Sequence, residues 1–532
     1  MKRRLIVCCD GTWNSLDMRY ITNVGRLVQA VGSEGMSGNS KIPHVIYYDD
    51  GVGSDSRGVR RMAEGALGWG IDRLIEEAYR FIVANYQKGD EICLFGYSRG
   101  AYAVRSLAGL IGAVGVVPRS ELKHFSEAMD TYRFKGSKEK KKQLREAYMD
   151  KANTIKARVN LLGCWDTVGA LGVPDKIPNF PLDDWLRHRY TFHDEFIGSH
   201  IDYAIHAVAI DEVRKEFVVT PMKRPGPSQT KIIEHWFPGD HGCVGGGLWE
   251  KRGLSNRCLK WMIDQAKNAG FNLKADLTRL KDNAISDPHT YFALNHSLIY
   301  GRKHRSIPAT AVFDHTAAQR WLDDPEYRPK QLTKGRKKQP KEHRTTTFAK
   351  ATKNLKPTKK TKPASGSLRK NEHADIQVFA DKPGNSSGIS VKKNEKYEIK
   401  VSRLQVWKDG KLDPCDIRGW SLKDKNKVPY QDGEAADIRA LRAALIRAGR
   451  SGRAKPSADW FELIFRIGDS APISTRVPTP KTDDETTPFV IKFTAHTSGE
   501  LFFGANDFGE NKIIINKYKN NEGFIWARLT RV

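Results

Sequence analysis

The sequence predicts an α/β fold, a mostly parallel sheet with helices on both faces, followed by a basic linker and a C-terminal β-sandwich. Three observations predict it. Over residues 1 to about 310, short apolar runs of strand length alternate with stretches of helical spacing, and such alternation builds parallel sheets covered on both faces. Between Arg328 and Lys370 there are sixteen Lys or Arg against one acid, Glu342. Beyond that stretch the texture changes to period two, as at Tyr397-Ile399-Val401, Phe489-Ile491-Phe493 and Leu501-Phe503-Ala505. That alternation suits two sheets with one wet face each.

Each element can be justified in order. Arg4 to Cys9 reads as a buried strand that stops at Asp10-Gly11-Thr12, and Asn23 to Val31 carries helical spacing at Val24, Leu27, Val28 and Val31. His44 to Tyr48 is a second strand, closed by Asp49-Asp50-Gly51. The next helix is amphipathic, with Ile71, Leu74, Ile75, Ala78, Ile82 and Tyr86 on one face, and Lys88-Gly89-Asp90 ends it. Glu91 to Phe95 is a third strand, followed by a helix over Ala101 to Val117. Arg119 to Arg158 is polar and basic and reads as a solvated helical insertion. The strand pattern resumes with "RVNLLGCWDTVGALGVP" from residue 158, "DYAIHAVAIDE" from 202 and "TKIIEHWFPGDHGCVGGG" from 230, before a closing helix over Leu254 to Ala269. The expected domains are 1–327, a flexible linker 328–371, and 372–532 with one helical interruption at Ala435 to Ala448.

Composition narrows the class. A chain of 532 residues with 39% hydrophobic and 28% charged residues is globular and too long for one core. The apolar run Leu5 to Cys9 is too short for a signal-peptide core, and the longest weakly polar stretch, Leu107 to Pro118, falls below the ~20 residues of a membrane-spanning helix. Cytoplasmic synthesis without a Sec signal is therefore expected. The seven cysteines form no C-x-x-C pair and read as buried reduced thiols.

The chemistry centres on Gly96-Tyr97-Ser98-Arg99-Gly100. A serine between two glycines gains meaning when a strand precedes it and a helix follows, because the sharp turn lifts its hydroxyl above the sheet edge. The plainer reading is a strand-to-helix turn with a capping serine. A serine nucleophile needs a base, and the base needs an orienting acid. In α/β-hydrolases the acid and then the histidine follow the serine along the chain. Asp166 after the run Val159 to Cys164, and His241 after Lys231 to Phe237, meet that order; Asp211, after "HAVAI", is the alternative acid. Asp240 neighbours the proposed base but should point away from it, and His206 reads as a core or supporting histidine. The first strand's loop is the expected oxyanion hole, with donors at Gly11, Thr12 or Trp13 and at Arg99, each contributing ~3 kcal/mol. No cofactor is expected for catalysis. The same "DGTWN" loop can also be read as a phosphate- or metal-binding loop.

Together, "VCCDGTWN", "YYDDGVGS", "GDEICLFGYSRGAYAVRSLAGLIGAVGVV", "GCWDTVGALGVP", "HAVAIDEVRKEF" and "HWFPGDHGCVGGG" resemble the successive blocks of the α/β-hydrolase domain of type VI secretion phospholipase effectors. The resemblance implies a Ser-His-Asp lipolytic enzyme acting on glycerophospholipid esters, with Ser98, Asp166 and His241 at the catalytic positions. It also implies delivery by a secretion machine and an immunity protein as partner. One departure is Cys243, where that family usually has an aspartate two residues after the histidine.

The last domain is similar, more faintly, to calcium-dependent galactose-binding bacterial lectins, through "YEIKVSRLQVWKDG", "WFELIFRIGD" and the strands around "SGELFFGANDF" and "GFIWARL". That resemblance implies calcium ligands at Asp507, Asn520 and Asn521 and carbohydrate as a partner. Lys517 falls near an expected ligand position, where an ammonium does not suit calcium. The basic stretch reads as a solvated spacer or as a segment attracted to anionic lipid, at ~1 kcal/mol per Lys or Arg near such a surface. Nucleic acid is not expected as a partner, since aromatic residues are nearly absent there. A carbohydrate- or membrane-binding protein with a catalytically silent hydrolase scaffold is the alternative reading of the whole chain.

Overall fold

The computed structural model of the protein describes residues 2–12, 14–16, 21–51, 66–169, 197–224, 226, 229–248, 251–279, 290, 302–323, 327–334, 342–343, 348, 366–382, 384–403, 405–409, 415–420, 454–455, 457–477, 488–507 and 521–532. The chain divides into two compact units. The first comprises Met1–Trp249, Leu254–Leu280 and Leu294–Leu355, and the second Lys356–Val532 with the short stretches Glu250–Gly253 and Lys281–Ala293.

In the first unit the chain runs β1 (Arg4–Cys9), α1 (Asn23–Ala30), β2 (Glu34–Ser37), β3 (Ser40–Asp49), α2 (Ala66–Asn85), β4 (Glu91–Tyr97) and α3 (Arg99–Val114). Then come α4 (Phe125–Arg133), α5 (Lys138–Lys151), β5 (Val159–Trp165), β6 (Ile201–Ala209), β7 (Lys231–Phe237), α6 (His241–Gly245), α7 (Arg252–Asn268), β8 (Phe271–Asn272), β9 (Val312–Phe313) and α8 (His315–Asp323). They form one sheet in the order β8-β2-β3-β1-β4-β5-β6-β7-β9. From β3 to β9 all neighbours are parallel, and β2 and β8 complete one edge antiparallel. β1 is buried at all six positions and β4 at all seven, which is why both read as continuous apolar runs without alternation. The core joins Leu5, Val7, Ile92 and Leu94 of the sheet to Ile71, Leu74, Ile75 and Ile82 of α2 and Val104, Leu107 and Ile111 of α3.

This parallel arrangement aligns the strand ends. Cys9 is level with Gly96, Tyr97 with Trp165, Trp165 with Ala207, and Ala209 with Phe237. The residues that follow these strands therefore share one sheet edge, the edge at which open α/β sheets hold their ligands.

Where the structure differs from the sequence reading, the differences are physical. β2 was not expected: Glu34-Gly35-Met36-Ser37 is a short half-exposed strand between β8 and β3, joined to β3 through Gly38 at φ 58°, and so has no apolar run. The insertion is helical, and α5 buries only Tyr148 among its own residues, as a solvated helix should. All seven cysteines are buried and free. Among the described residues no helix is long and apolar enough to cross a membrane.

The basic stretch is not all spacer. Phe348 is fully buried, 4.8 Å from Phe313 and 5.6 Å from Trp321 between ring centroids, and the Arg328 guanidinium lies 4.2 Å over the Trp321 ring. Few apolar residues prevent this stretch from folding alone, yet Leu332 and Phe348 are fully buried and Gln331 donates to the Ile210 carbonyl at 2.9 Å, so part of it is fixed onto the first unit, which extends to Leu355.

The second unit holds two four-stranded sheets that share one core, a β-sandwich. β10 (His373–Phe379), β17 (Phe524–Arg531), β12 (Lys396–Val401) and β15 (Phe489–Thr494) make one; β11 (Asn385–Val391), β16 (Gly499–Ala505), β13 (Leu463–Ile467) and β14 (Ile473–Ser474) make the other. Tyr397, Ile399 and Val401 point into the core with Leu501, Phe503 and Ala505, as their period-two spacing requires. The helix expected at residues 435–448 lies outside the described residues.

Candidate active site

Strand β4 ends at Tyr97 and helix α3 starts at Arg99, so Ser98 alone makes the turn, at φ 58° and ψ −121°. A left-handed φ on a residue with a β-carbon costs roughly 1–3 kcal/mol and persists only where the surroundings enforce it. Here the two glycines of the motif enforce it. A β-carbon at Gly96 would stand 2.5 Å from the Gly100 carbonyl oxygen, and one at Gly100 would collide with the carbonyls of Cys9 and Asp10. Helix α3 can thus sit directly on the end of β1, with Ser98 at its N-terminus.

The structure brings the three predicted residues together. Ser98 Oγ lies 2.8 Å from His241 Nε2, and His241 Nδ1 lies 2.6 Å from Asp166 Oδ2. An ionised carboxylate only accepts, so Nδ1 carries the proton and Nε2 is the acceptor facing the serine hydroxyl. All three side chains are buried. Asp166 also has a positive φ, 43°, immediately after β5. His241 is the first residue of α6, whose N-cap is Asp240, accepting the Cys243 N–H at 3.1 Å. The Asp240 carboxylate thus serves the helix end. The His241 backbone N–H donates to Glu212 at 3.2 Å, and Glu212 in turn accepts from Arg214.

Two rings enclose the imidazole. Tyr97 lies 4.7 Å from it between centroids, and Phe217 meets it edge-on at 4.8 Å. Burial disfavours the imidazolium and outweighs the Asp166 hydrogen bond and charge, so the His241 pKa falls below its ordinary value. Burial alone would raise the Asp166 pKa. The Arg305 charge, with hydrogen bonds from His241 and Arg305, overcomes it and holds the carboxyl far below the usual range. At neutral pH the trio is Ser–OH, neutral imidazole and carboxylate, the resting state of a base-activated serine.

The competing residues have other partners. Asp211 accepts the Gly239 N–H at 2.6 Å and the Tyr327 hydroxyl at 2.9 Å; burial raises its pKa to about 7. His206 is fully buried, accepting the Thr167 N–H at 3.1 Å through Nε2 while Nδ1 faces Glu234 at 3.0 Å. It supports the residue next to Asp166. Cys243 is buried at α6 and fills space beside Gly239.

The oxyanion loop is rearranged relative to the sequence reading. The Gly11 N–H donates to the Asp10 carboxylate at 2.6 Å, so that donor already has a partner. Asp10 also accepts from Thr22 and Tyr48 at 2.7 to 2.8 Å, and burial raises its pKa to about 6. The Thr12 hydroxyl is buried with no hydrogen-bond partner, and Arg99 opens α3. Trp13 lies outside the described residues.

In the second unit Asp507 is buried and accepts from Asn521 Nδ2 at 3.0 Å, while Asn521 Oδ1 is buried without a partner. Asn520 and Lys517 lie outside the described residues. Calcium takes six to eight oxygens. The described residues offer two side chains here, and among them no group of three His, Cys, Asp or Glu could hold a metal, so the described set does not by itself fit the ion.

Sequence reading missed Arg305, Glu212 and Phe217. Arg305 acts on the trio from a segment without any motif, whereas Glu212 and Phe217 fall within the "HAVAIDEVRKEF" block, which marked their place but not their role.

Residues 3–265 match the family model described as T6SS, phospholipase effector Tle1-like, catalytic domain. An uncharacterised protein of Saccharomyces cerevisiae, YEL023C, is 24% identical over 243 residues, 41% of this chain and 33% of that protein; the match thus spans about a third of that relative's length. Among solved structures, an uncharacterised Pseudomonas aeruginosa protein has a TM-score of 0.34 at 18% identity, covering 54% of this chain and 49% of that one. A Tle1 effector bound to the VgrG spike of the type 6 secretion system has a TM-score of 0.29 at 16% identity, covering 46% and 51%. Residues 3–265, just under half of the chain and carrying Ser98, Asp166 and His241, are thus a domain that matches the Tle1-like catalytic domain of type VI secretion phospholipase effectors.

Proposed function

We propose that this protein is a serine ester hydrolase of the phospholipase A type, cleaving glycerophospholipid acyl esters through Ser98, His241 and Asp166. The observation that carries the reading is the buried relay Ser98 Oγ to His241 Nε2 at 2.8 Å and His241 Nδ1 to Asp166 at 2.6 Å. His241 takes the Ser98 proton as Oγ attacks the acyl carbonyl. The resulting oxyanion is held by N–H groups near Thr12 and Arg99, with the unpaired Thr12 hydroxyl as a further donor. Collapse breaks the acyl–oxygen bond, and the alcohol leaves with the proton from His241. Water, deprotonated by the same imidazole, then releases the fatty acid from the serine ester.

Ser98→Ala is expected to fold normally and to lose fatty-acid release from phospholipid liposomes and labelling by a fluorophosphonate. Unchanged fatty-acid release by that variant would refute the reading. A parent protein that binds liposomes but never labels at Ser98 would instead favour the silent scaffold. For delivery, we take a type VI spike protein as the partner, with an immunity protein in the producing cell, in keeping with the family. For the second unit the reading is a carbohydrate- or surface-binding sandwich. Calcium at Asp507 and Asn521 is tested by titrating the full chain with calcium and with galactose, before and after chelation.

A further inference from the structure

The Asp166 carboxylate is unusual in what surrounds it. Its four acceptor positions are all filled: Oδ1 accepts the Ala209 N–H at 2.8 Å and Arg305 Nη1 at 2.6 Å, and Oδ2 accepts Arg305 Nη2 at 2.8 Å and His241 Nδ1 at 2.6 Å. The Arg305 fork is itself fixed, since Nη1 also donates to the Ala209 carbonyl and Nη2 to the Phe217 carbonyl, both at 2.8 Å. Both side chains are buried. A two-pronged guanidinium allows its carboxylate one plane, and that plane aims Oδ2 at the imidazole. Through Phe217, whose ring rests on His241, the same fork also sets the wall of the base.

There is an electrostatic consequence. A lone triad carboxylate stabilises the imidazolium that forms during attack. A carboxylate already matched by a guanidinium does so less. Two further charges act on His241 directly and in opposite senses, Arg214 lowering its pKa and Glu212 raising it; the two pair with each other at 2.8 Å, and Asp240 caps α6. Tyr97, whose hydroxyl donates to the His241 carbonyl, has its pKa raised by burial and stays neutral. Arg305 is thus the charge that reaches the base through Asp166.

We propose that Arg305 is a positioning residue of this hydrolase, fixing the Asp166 carboxylate by its fork and offsetting its charge, so that His241 stays unprotonated to lower pH. Arg305 lies beyond residues 3–265, which match the family model. The inference rests on the proposed function for its activity readout but not for its direct one.

The experiment is the pH dependence of fluorophosphonate labelling at Ser98, from pH 4.5 to 9 by roughly half-unit steps, in the full-length parent, Arg305→Gln and Arg305→Lys. Arg305→Gln is expected to move the acid-side half-maximum upward by about one unit, because a positive charge near the imidazolium is removed. Arg305→Lys keeps the charge and loses the fork, so its half-maximum stays while its plateau falls about tenfold or more. A residue with a merely structural role would lower both plateaus and move neither half-maximum, and that result overturns the proposal. Arg305→Gln leaves Asp166 buried without its counter-charge and can fail to fold. In that case Arg305→Lys decides alone: a parent-like plateau or a raised half-maximum overturns the proposal. If the parent does not label at Ser98, the proposed activity fails instead. The His241 ring titration, followed by NMR in histidine-labelled protein and assigned with His241→Asn, then tests Arg305 with the same expected shift.

Discussion

Tyr97 holds His241 twice, by its ring at 4.7 Å between centroids and by its hydroxyl, which donates to the His241 backbone carbonyl at 3.3 Å. The same ring fills the spaces where β-carbons at Gly11 and Gly245 would stand. One side chain from the strand end before the serine therefore touches the loop after β1 and the helix that presents the base. The variable position of the Gly-x-Ser-x-Gly motif acts here as a fastener between the end of β4, the loop after β1 and α6.

Truncating that fastener should be costly. Tyr97→Ala empties a fully buried aromatic site and is expected to destabilise the first unit by about 3–5 kcal/mol. Tyr97→Phe loses one long hydrogen bond and should cost about 1 kcal/mol or less. Urea unfolding of both variants, with labelling at Ser98 under native conditions, checks this. Equal stability of Tyr97→Ala and parent would mean that the ring is not packed as described.

The motif glycines can be tested against a glycine elsewhere. Gly100→Ala puts a methyl group into the carbonyls of Cys9 and Asp10, which are backbone atoms and cannot swing away. Loss of roughly 1–3 kcal/mol or more and loss of labelling are expected. Gly38→Ala meets no atom within 4 Å and only the strain of φ 58°, so it should cost about 1 kcal/mol and leave labelling intact. Thermal unfolding beside gel-based labelling separates the two.

Much of this site was legible in the sequence, and the reason is local. Strand ends such as Cys9, Tyr97 and Trp165 close runs of apolar residues, so the sequence alone places Asp10, Ser98 and Asp166 at the sheet edge. The order of serine, acid and base followed. Arg305 was not legible, because its partners come from the residue after β5, from the end of β6 and from the Phe217 turn, and no spacing rule connects them. The commitment of the Gly11 N–H to Asp10 was equally invisible, being a choice among acceptors that only the folded loop makes. In the second unit, alternation marked Tyr397, Ile399 and Val401 as core, while two-residue strands such as Lys408–Asp409 leave no period to read.

The two candidate acids should separate under substitution. Asp166→Asn removes the acceptor that fixes the His241 tautomer and is expected to lower kcat by ~10⁴. Asp211→Asn should keep ester hydrolysis within about threefold, since Asp211 touches Gly239 and Tyr327 and not the imidazole. Its effect lies in stability against pH. Burial raises the folded Asp211 pKa to about 7, above the ordinary unfolded value, so the folded state binds this proton more tightly. The stabilisation is full below the unfolded pKa, near 4, and is lost as pH rises through about 7. Asp211→Asn should therefore gain stability relative to the parent between pH 5 and pH 8, read as the difference in Tm at each pH. A constant difference across that range contradicts the assignment.

The end of the catalytic unit makes a further prediction. Phe348 is fully buried against Phe313 and Trp321, so the first unit does not finish where the basic composition begins. Phe348→Ala should destabilise it by about 3–5 kcal/mol, the usual range for a buried phenylalanine. A fragment ending at residue 327 loses the ring and uncovers its two partners, whereas one ending at residue 355 keeps them. The longer fragment should show the higher Tm and remain dispersed at concentrations where the shorter one aggregates, because uncovered aromatic surface promotes association. Phe348→Ala in the longer fragment should bring its Tm down toward that of the shorter. If instead the two fragments melt together and Phe348→Ala shifts neither, the basic stretch is a spacer from its first residue onward.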